Sequence, residues 1–339
     1  MSTPTRFNDH YDLARLEQFE IRDGHRLVLA EPERWRSFDA HTHLALAYLL
    51  PMRVDLHREH PVTEHYLSLG GPLDLDVYAN KNFSPAGLKA MTRDLTLMSV
   101  TGAGMRRTHT LPNLLREMKE LGIAGAILLP IDLPVLSDNA GAYLRATAGA
   151  DEIVCFGSVH PHDWNVAGKL DRQQASGARG IKVHPAVQLL RPDHPKAMQL
   201  YRLCAERELP VLWHCGPVGI EPQAGRRRSQ VRYYERPIAE VPDCTFLLGH
   251  SGALQVDLGI ELARSYPNVY LETASQSLSG VRAILEQAPH DRILAGSDWP
   301  FYHQSLHLAK LFLAAEGDED LLHKVLWNNA ARLFDLPDR

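Results

Sequence analysis

The chain has 339 residues, of which 45% are hydrophobic and 23% charged, enough apolar material for a large core. A net charge of −5 offers no basic surface to nucleic acid or an anionic membrane, and no apolar run approaches the roughly 20 residues of a membrane span. A small molecule remains as the default partner.

Length alone admits one domain or two, because a (β/α)8 barrel routinely takes about 250 residues as a single unit. Residues 1–34 read as an N-terminal extension, and the opening MSTPTRFNDHYDLARLEQFE lacks the apolar core of a signal peptide. Cys155, Cys204, Cys215 and Cys244 show no CxxC pairing and sit in or beside apolar stretches, as reduced, buried thiols do. A cytoplasmic protein is expected.

Residues 37–45, SFDAHTHLA, carry the first chemistry. In a β-strand, alternate side chains share a face, so Asp39, His41 and His43 are expected to emerge together. Two imidazoles two positions apart can reach one divalent ion without backbone strain. An HxH alone is also compatible with a polar strand end that binds nothing. The stretch from 44 to about 110 is rich in Pro, Gly, His and Asn and too long for an ordinary connection. It is expected to form an insertion, a lid or subdomain over one mouth of the fold. Within it HREH (57–60) lacks the HExxH spacing of helical zinc proteases, and TGAGMRR (101–107) lacks the third glycine of a dinucleotide-binding loop.

From residue 123 short apolar runs alternate with helical patterns. The runs are AGAILLPI (124–131), EIVCFGSVHP (152–161), RGIKVHP (179–185), LPVLWHCG (209–216), CTFLLGHSG (244–252), NVYLETAS (268–275) and DRILAGSDWP (291–300). Between them, segments such as HPKAMQLYRLCAERE repeat apolar residues at three- and four-residue spacing. Runs this continuously apolar read as strands covered on both faces. With the 37–45 strand they number eight, which predicts a (β/α)8 TIM barrel over 35–339 rather than a doubly wound open sheet.

Reactive groups in such barrels gather at the C-terminal strand ends. Strand 1 ends in DAHTH, strand 4 in IKVH, strand 5 in LWH, strand 6 in LLGH and strand 8 in AGSD. These place His41 and His43, His184, His214, His250 and Asp298 at one rim. Glu272 in YLETAS faces either the site or the helix layer. VHPHD (159–163) breaks its strand at Pro161 and reads as a loop.

HTH, GIKVHP, LWHCG, LLGHSG, GSDWP and the closing WNNAARLF resemble the amidohydrolase superfamily. Within it they are most similar to the branch that includes aminocarboxymuconate semialdehyde decarboxylase and lactone hydrolases. The likeness covers about residues 35–339 and rests on several short motifs in the right order. It implies one divalent ion, zinc, held by His41, His43, His214 and Asp298. His250 is then the general acid/base, and Asp298 helps orient the attacking water. Three imidazoles and one carboxylate leave such an ion positive, with an open position where bound water is acidified.

Strand alternation puts Lys182 on the face of His184. Lys182 is expected to meet a substrate carboxylate; a carbamylated bridge between two metals and a Schiff-base nucleophile are the other readings. In GPVGIEPQAGRRRSQVRYYERPI, Arg226, Arg227, Arg228 and Arg232 are candidates to clamp a carboxylate, and Trp299 is a further candidate for substrate contact. The expected activity is a metal-dependent hydrolase cutting an amide, lactone or related ester bond of a small organic acid through metal-bound hydroxide. Non-oxidative decarboxylation at the same metal is the alternative. A binding protein that kept the barrel without turnover is the rival outside enzymes, and a homodimer is the default assembly.

Overall fold

The computed structural model describes residues 5–48 and 50–337, so the outermost ends of the predicted extension and barrel, and Leu49 of the insertion, lie outside the described residues. Eight parallel strands run through it: β1 (Ser37–Thr42), β2 (Ile123–Leu128), β3 (Ile153–Cys155), β4 (Ile181–Val183), β5 (Val211–His214), β6 (Phe246–Gly249), β7 (Val269–Glu272) and β8 (Ile293–Leu294). Ladders join β1 to β3 and β4 to β8. Main-chain bonds close the two seams, Lys182 N–H to Gly157 O at 2.8 Å on one side and Ala40 N–H to Ala295 O at 2.8 Å on the other. The result is a (β/α)8 barrel.

Helices follow the strands where the sequence supplies a cap and an apolar stripe. Pro195–Ala205 starts with proline behind His194, whose ring accepts the Lys196 N–H, and it buries Ala197, Met198, Leu200, Tyr201 and Cys204. Leu278–Gln287 is capped by Ser277, which accepts the Gly280 N–H at 3.0 Å. Alternate strand residues such as Ile181, Val183, Val211 and Val269 pack outward into these helices. The opposite set, including Phe38, Ile127, Phe156, Leu212, Leu247 and Leu294, forms a separate inner cluster. Ala330 and Phe334 of the helix Asn329–Phe334 plug it from the strands' N-terminal end, with Phe334 stacked on Phe38 at 5.9 Å. Every polar side chain of the site therefore has to lie at the other end.

One sequence expectation is corrected in β1. Asp39 pairs with Ala126 and Thr42 with Leu128, so three steps of β1 oppose two of β2. Both partners belong to the outer layer. Asp39 and Thr42 therefore face outward together, and the extra residue of this β-bulge turns His41 and His43 inward. Asp39 is fully buried outside the site. It accepts from Ser297 Oγ at 2.5 Å, Gln304 Nε2 at 2.7 Å and the amides of Ser297 and His41, which locks β1 to the segment after β8.

The insertion after β1 carries the helix Pro85–Leu95 and several short turns, and its strand Leu73–Asp74 pairs antiparallel with Arg6–Phe7 of the N-terminal segment. Tyr66 and Leu67 bond the main chain of Pro300 and Phe301. No helix among the described residues is long and apolar enough to cross a membrane.

Candidate metal centre

The C-terminal ends of the strands open into a cavity of about 420 Å³ lined by His41, His43, Lys182, His184, His214, His250 and Asp298. His41 and His43 sit on the bulged end of β1. Asp298 lies four residues past β8, with its amide on His41 O at 2.8 Å. His250 (φ 62°), Ser275 (φ 64°) and Asp298 (φ 67°) all adopt left-handed backbone at the ends of three neighbouring strands. Such conformations are uncommon outside glycine, and here they aim side chains across the barrel mouth. Two glycines leave the room needed. A Cβ on Gly249 would meet the His41 ring at 3.2 Å, and one on Gly296 would collide with the Glu272 carboxylate.

Hydrogen bonds set each imidazole's tautomer. His43 Nδ1 faces Leu129 O at 2.6 Å, and a carbonyl can only accept, so Nε2 keeps the lone pair. His41 Nδ1 donates to Glu272 Oε2 at 2.7 Å, which again leaves the lone pair on Nε2. Those two nitrogens converge on Asp298 Oδ1, 3.4 Å from His43 and 3.8 Å from His41. The other Asp298 oxygen takes a bond from Ser275 Oγ at 3.2 Å. His41, His43 and Asp298 form a group whose ligand atoms lie within 4.8 Å of one another. This donor set, with both outer ring nitrogens anchored, suits a divalent ion.

His250 Nδ1 faces Ala274 O at 3.2 Å and therefore donates, so its Nε2 accepts from His214 Nδ1 at 3.1 Å. His214 is left with a free Nε2 on the cavity wall, stacked on His184 at 4.0 Å, and it stands outside the tight three-residue group. A second such group joins His41, His250 and Glu272. Burial holds His250 down to about 4, against a smaller upward pull from Asp298, so it is neutral at pH 7. Burial likewise brings Lys182 down to about 7; its Nζ donates to His41 Nε2 at 3.2 Å.

Glu272, undecided in sequence, faces the site. It is fully buried and accepts from the His41 ring and from the amides of His250 and Ala274. Burial pushes its carboxyl up to about 8, while all three contacts favour the ionised form, as would positive charge bound through His41. Its place at the C-terminal end of β7, level with the other site residues, was the signal available in sequence. Partners of this kind typically change metal affinity 10–100-fold. Glu272→Gln is expected to weaken zinc binding by about that factor in a chelator competition, because the amide competes for the Nδ1 tautomer that His41 must keep.

Three residues expected to touch substrate lie elsewhere. Trp299 is fully buried and its indole N–H bonds Glu117 Oε2 at 2.8 Å, away from the cavity. Arg226 donates to Gly219 O and Arg228 to Ala224 O, both carbonyls of their own short segment, and neither lines the cavity. Only Val218, Ile220, Glu221 and Pro222 of that loop reach it. Arg232 lies over the Tyr233 ring. The insertion contributes residues no pattern had singled out, among them Tyr48, Tyr78, Asn80, Met91 and Leu95.

A family model described as Amidohydrolase matches residues 38–336. No curated protein matches the chain. Among solved structures, an uncharacterised TIM-barrel protein from Bordetella bronchiseptica is 22% identical, with 68% of this chain and 84% of that one covered and a TM-score of 0.58. A probable 2-pyrone-4,6-dicarboxylic acid hydrolase from Acinetobacter baumannii, with citric acid bound, is 12% identical over 88% of this chain and 99% of that one, with a TM-score of 0.55. A 2,6-dihydroxybenzoate decarboxylase from Rhizobium is 17% identical over 88% and 99%, with a TM-score of 0.53. At these identities the likeness concerns the fold.

Proposed function

The chain belongs to the amidohydrolase family, and on that premise we propose that it is a metal-dependent hydrolase cutting an amide, lactone or related ester bond of a small organic acid. The observation that carries the reading is the convergence of His41, His43 and Asp298 at the floor of a cavity whose walls are largely apolar. The nitrogen-rich donor set favours zinc, with His214 Nε2 as the further ligand and Lys182 the cation available to a substrate carboxylate. When bound, such an ion supplies positive charge that polarises a carbonyl and acidifies water.

The chain's own groups account for the rest. Asp298, whose Oδ2 is steadied by Ser275 Oγ at 3.2 Å, is the carboxylate available to orient an attacking water. His250, neutral at pH 7, can take a proton at Nε2 during attack, once that nitrogen is released from the His214 N–H, and return it to the leaving group. The apolar wall limits bulk water around the reacting bond and so strengthens each electrostatic contact there.

That wall also favours a second reading, non-oxidative decarboxylation, because a carboxylate moved into apolar surroundings loses the hydration that stabilises it. The solved structures of similar fold include both a hydrolase and a decarboxylase. Zinc-loaded protein incubated with a panel of small lactones, amides, esters and unsaturated acids, with product acid followed by NMR and CO2 by gas analysis, separates the two. Acid formation without CO2 supports hydrolysis. CO2 release establishes decarboxylation, and turnover that persists after the metal is stripped defeats both.

A further inference from the structure

Apart from the candidate metal ligands, the cavity lining comes mostly from the insertion and the loop after β5. Met91, Leu95, Val187, Ile220 and Phe301 present apolar surface there. Among the described residues no arginine lines the cavity, and its one lysine, Lys182, lies at the floor beside His41, where it can meet only the single carboxylate already assigned to it. A second negative charge on a bound molecule would be stripped of water against this wall with no cation to meet it.

Three polar groups of this lining, Tyr78 Oη, Asn80 Oδ1 and Glu221 Oε2, are buried without a hydrogen-bond partner, and Asn80 Oδ1 is the one neutral atom among them that can only accept. Asn80 sits in the turn Ala79–Asn82, which Ala79 N–H ties to Ser275 O at 2.8 Å. Its side chain is 4% exposed, and Nδ2 donates to Val218 O at 2.6 Å, bridging the insertion to the β5 loop. That bond settles which way the amide points, since a carbonyl cannot donate. Oδ1 is left buried at the cavity wall with no hydrogen-bond partner. Buried acceptors are nearly always paired, and an orphan on a ligand cavity is paired economically by the ligand.

We infer that Asn80 and the apolar wall form a specificity subsite for the non-reacting end of the substrate: an uncharged ring or chain carrying one hydrogen-bond donor, a hydroxyl or N–H, that reaches Asn80 Oδ1. This rests on the reacting end lying at the metal ligands. It narrows the substrate to molecules with a single anionic group, and it takes the specificity role away from the loop arginines. A site built to accept from a hydroxyl rejects the analogue without it, because the acceptor is then left buried and unpaired.

Calorimetric titration of the zinc-loaded protein with phenylacetate, its three hydroxyphenylacetate isomers and 1,3-phenylenediacetate tests this. The best hydroxylated isomer is expected to bind about 10-fold more tightly than phenylacetate, and the diacid at least about 10-fold less tightly. In Asn80→Leu the hydroxyl advantage should vanish while phenylacetate itself stays within about twofold. The proposal is overturned if no hydroxyl position improves binding, if the advantage survives Asn80→Leu, if the diacid binds best, or if none of the compounds binds at 10 mM. Repeating the titrations on metal-stripped protein keeps the two readings apart: undiminished phenylacetate binding there removes the metal-centred reading, while the Asn80 comparison is still read in the same data.

Discussion

His41→Ala is expected to leave the protein with less than about a tenth of its zinc after dialysis, measured by elemental analysis, as affinity falls by roughly 10³-fold. The size follows from the ligand count. A four-ligand structural zinc site is worth about 10–16 kcal/mol, so one ligand's share is roughly 2.5–4 kcal/mol, and each 1.4 kcal/mol is a factor of ten. His41 should sit at the high end of that range, because its loss also removes the ring donor from Glu272, whose buried carboxylate keeps only the amides of His250 and Ala274. An unbalanced carboxylate beside the site disturbs geometry as well as ligand number. Thermal unfolding of stripped wild-type and stripped variant separates the two effects, since a purely structural lesion lowers both the loaded and the stripped melting temperatures. Near-stoichiometric zinc in a folded His41→Ala protein would remove His41 from the ligands. His43→Ala is expected to behave the same way, without the Glu272 component, because His43 Nδ1 faces a main-chain carbonyl.

For His250→Asn the expected outcome is the reverse pairing: zinc retained and kcat reduced by about 10²–10⁴, the usual worth of a general acid/base. The tautomer chain is the reason. His250 gives its Nδ1 proton to Ala274 O and turns Nε2 toward His214 Nδ1, 3.1 Å away, outside the group that His41, His43 and Asp298 form. His41 and His43, in contrast, each turn Nε2 toward Asp298 Oδ1, at 3.8 and 3.4 Å, with His41 Nε2 also facing Lys182 Nζ. Asparagine holds the Ala274 bond through its amide and tolerates the left-handed backbone at this position (φ 62°), so the fold should survive the change. Loss of zinc from this variant would instead place His250 among the ligands, with His41 and Glu272 as its partners in the second convergent group. Retained zinc and unchanged kcat would leave His250 without a chemical role.

How much of this could be read from the chain differs sharply between residues. The barrel strands were visible because each is a short, nearly continuous apolar run, and burial on both faces demands that pattern. Strand-end positions were visible for the same reason, since His214 closes VLWH and His250 follows FLLG directly. Asp39 shows where periodicity misleads. Strict alternation puts it beside His41, and a single extra residue in the β1–β2 register sends it to the opposite face. Glu272 was ambiguous because β7 alternates correctly for either layer once the barrel's two faces are both buried.

The insertion was the least legible part. It lacks a sustained period, and the groups it brings to the cavity, Asn80 above all, are placed by turns anchored to distant main chain. The arginine cluster lies off the cavity for a related reason. A short helix and the loop before it offer their own carbonyls to nearby guanidiniums.

The amino-acid order by itself settled the eight-stranded barrel and the rim at which His41, His43, His214, His250 and Asp298 collect, because strand burial and side-chain alternation are local consequences of residue type. Tertiary structure alone decided which of those side chains point inward, which ring nitrogen each histidine leaves free and what lines the cavity. Those properties depend on one bulge, and on hydrogen bonds such as His41 to Glu272 that join positions more than 200 residues apart, where no local pattern carries the information.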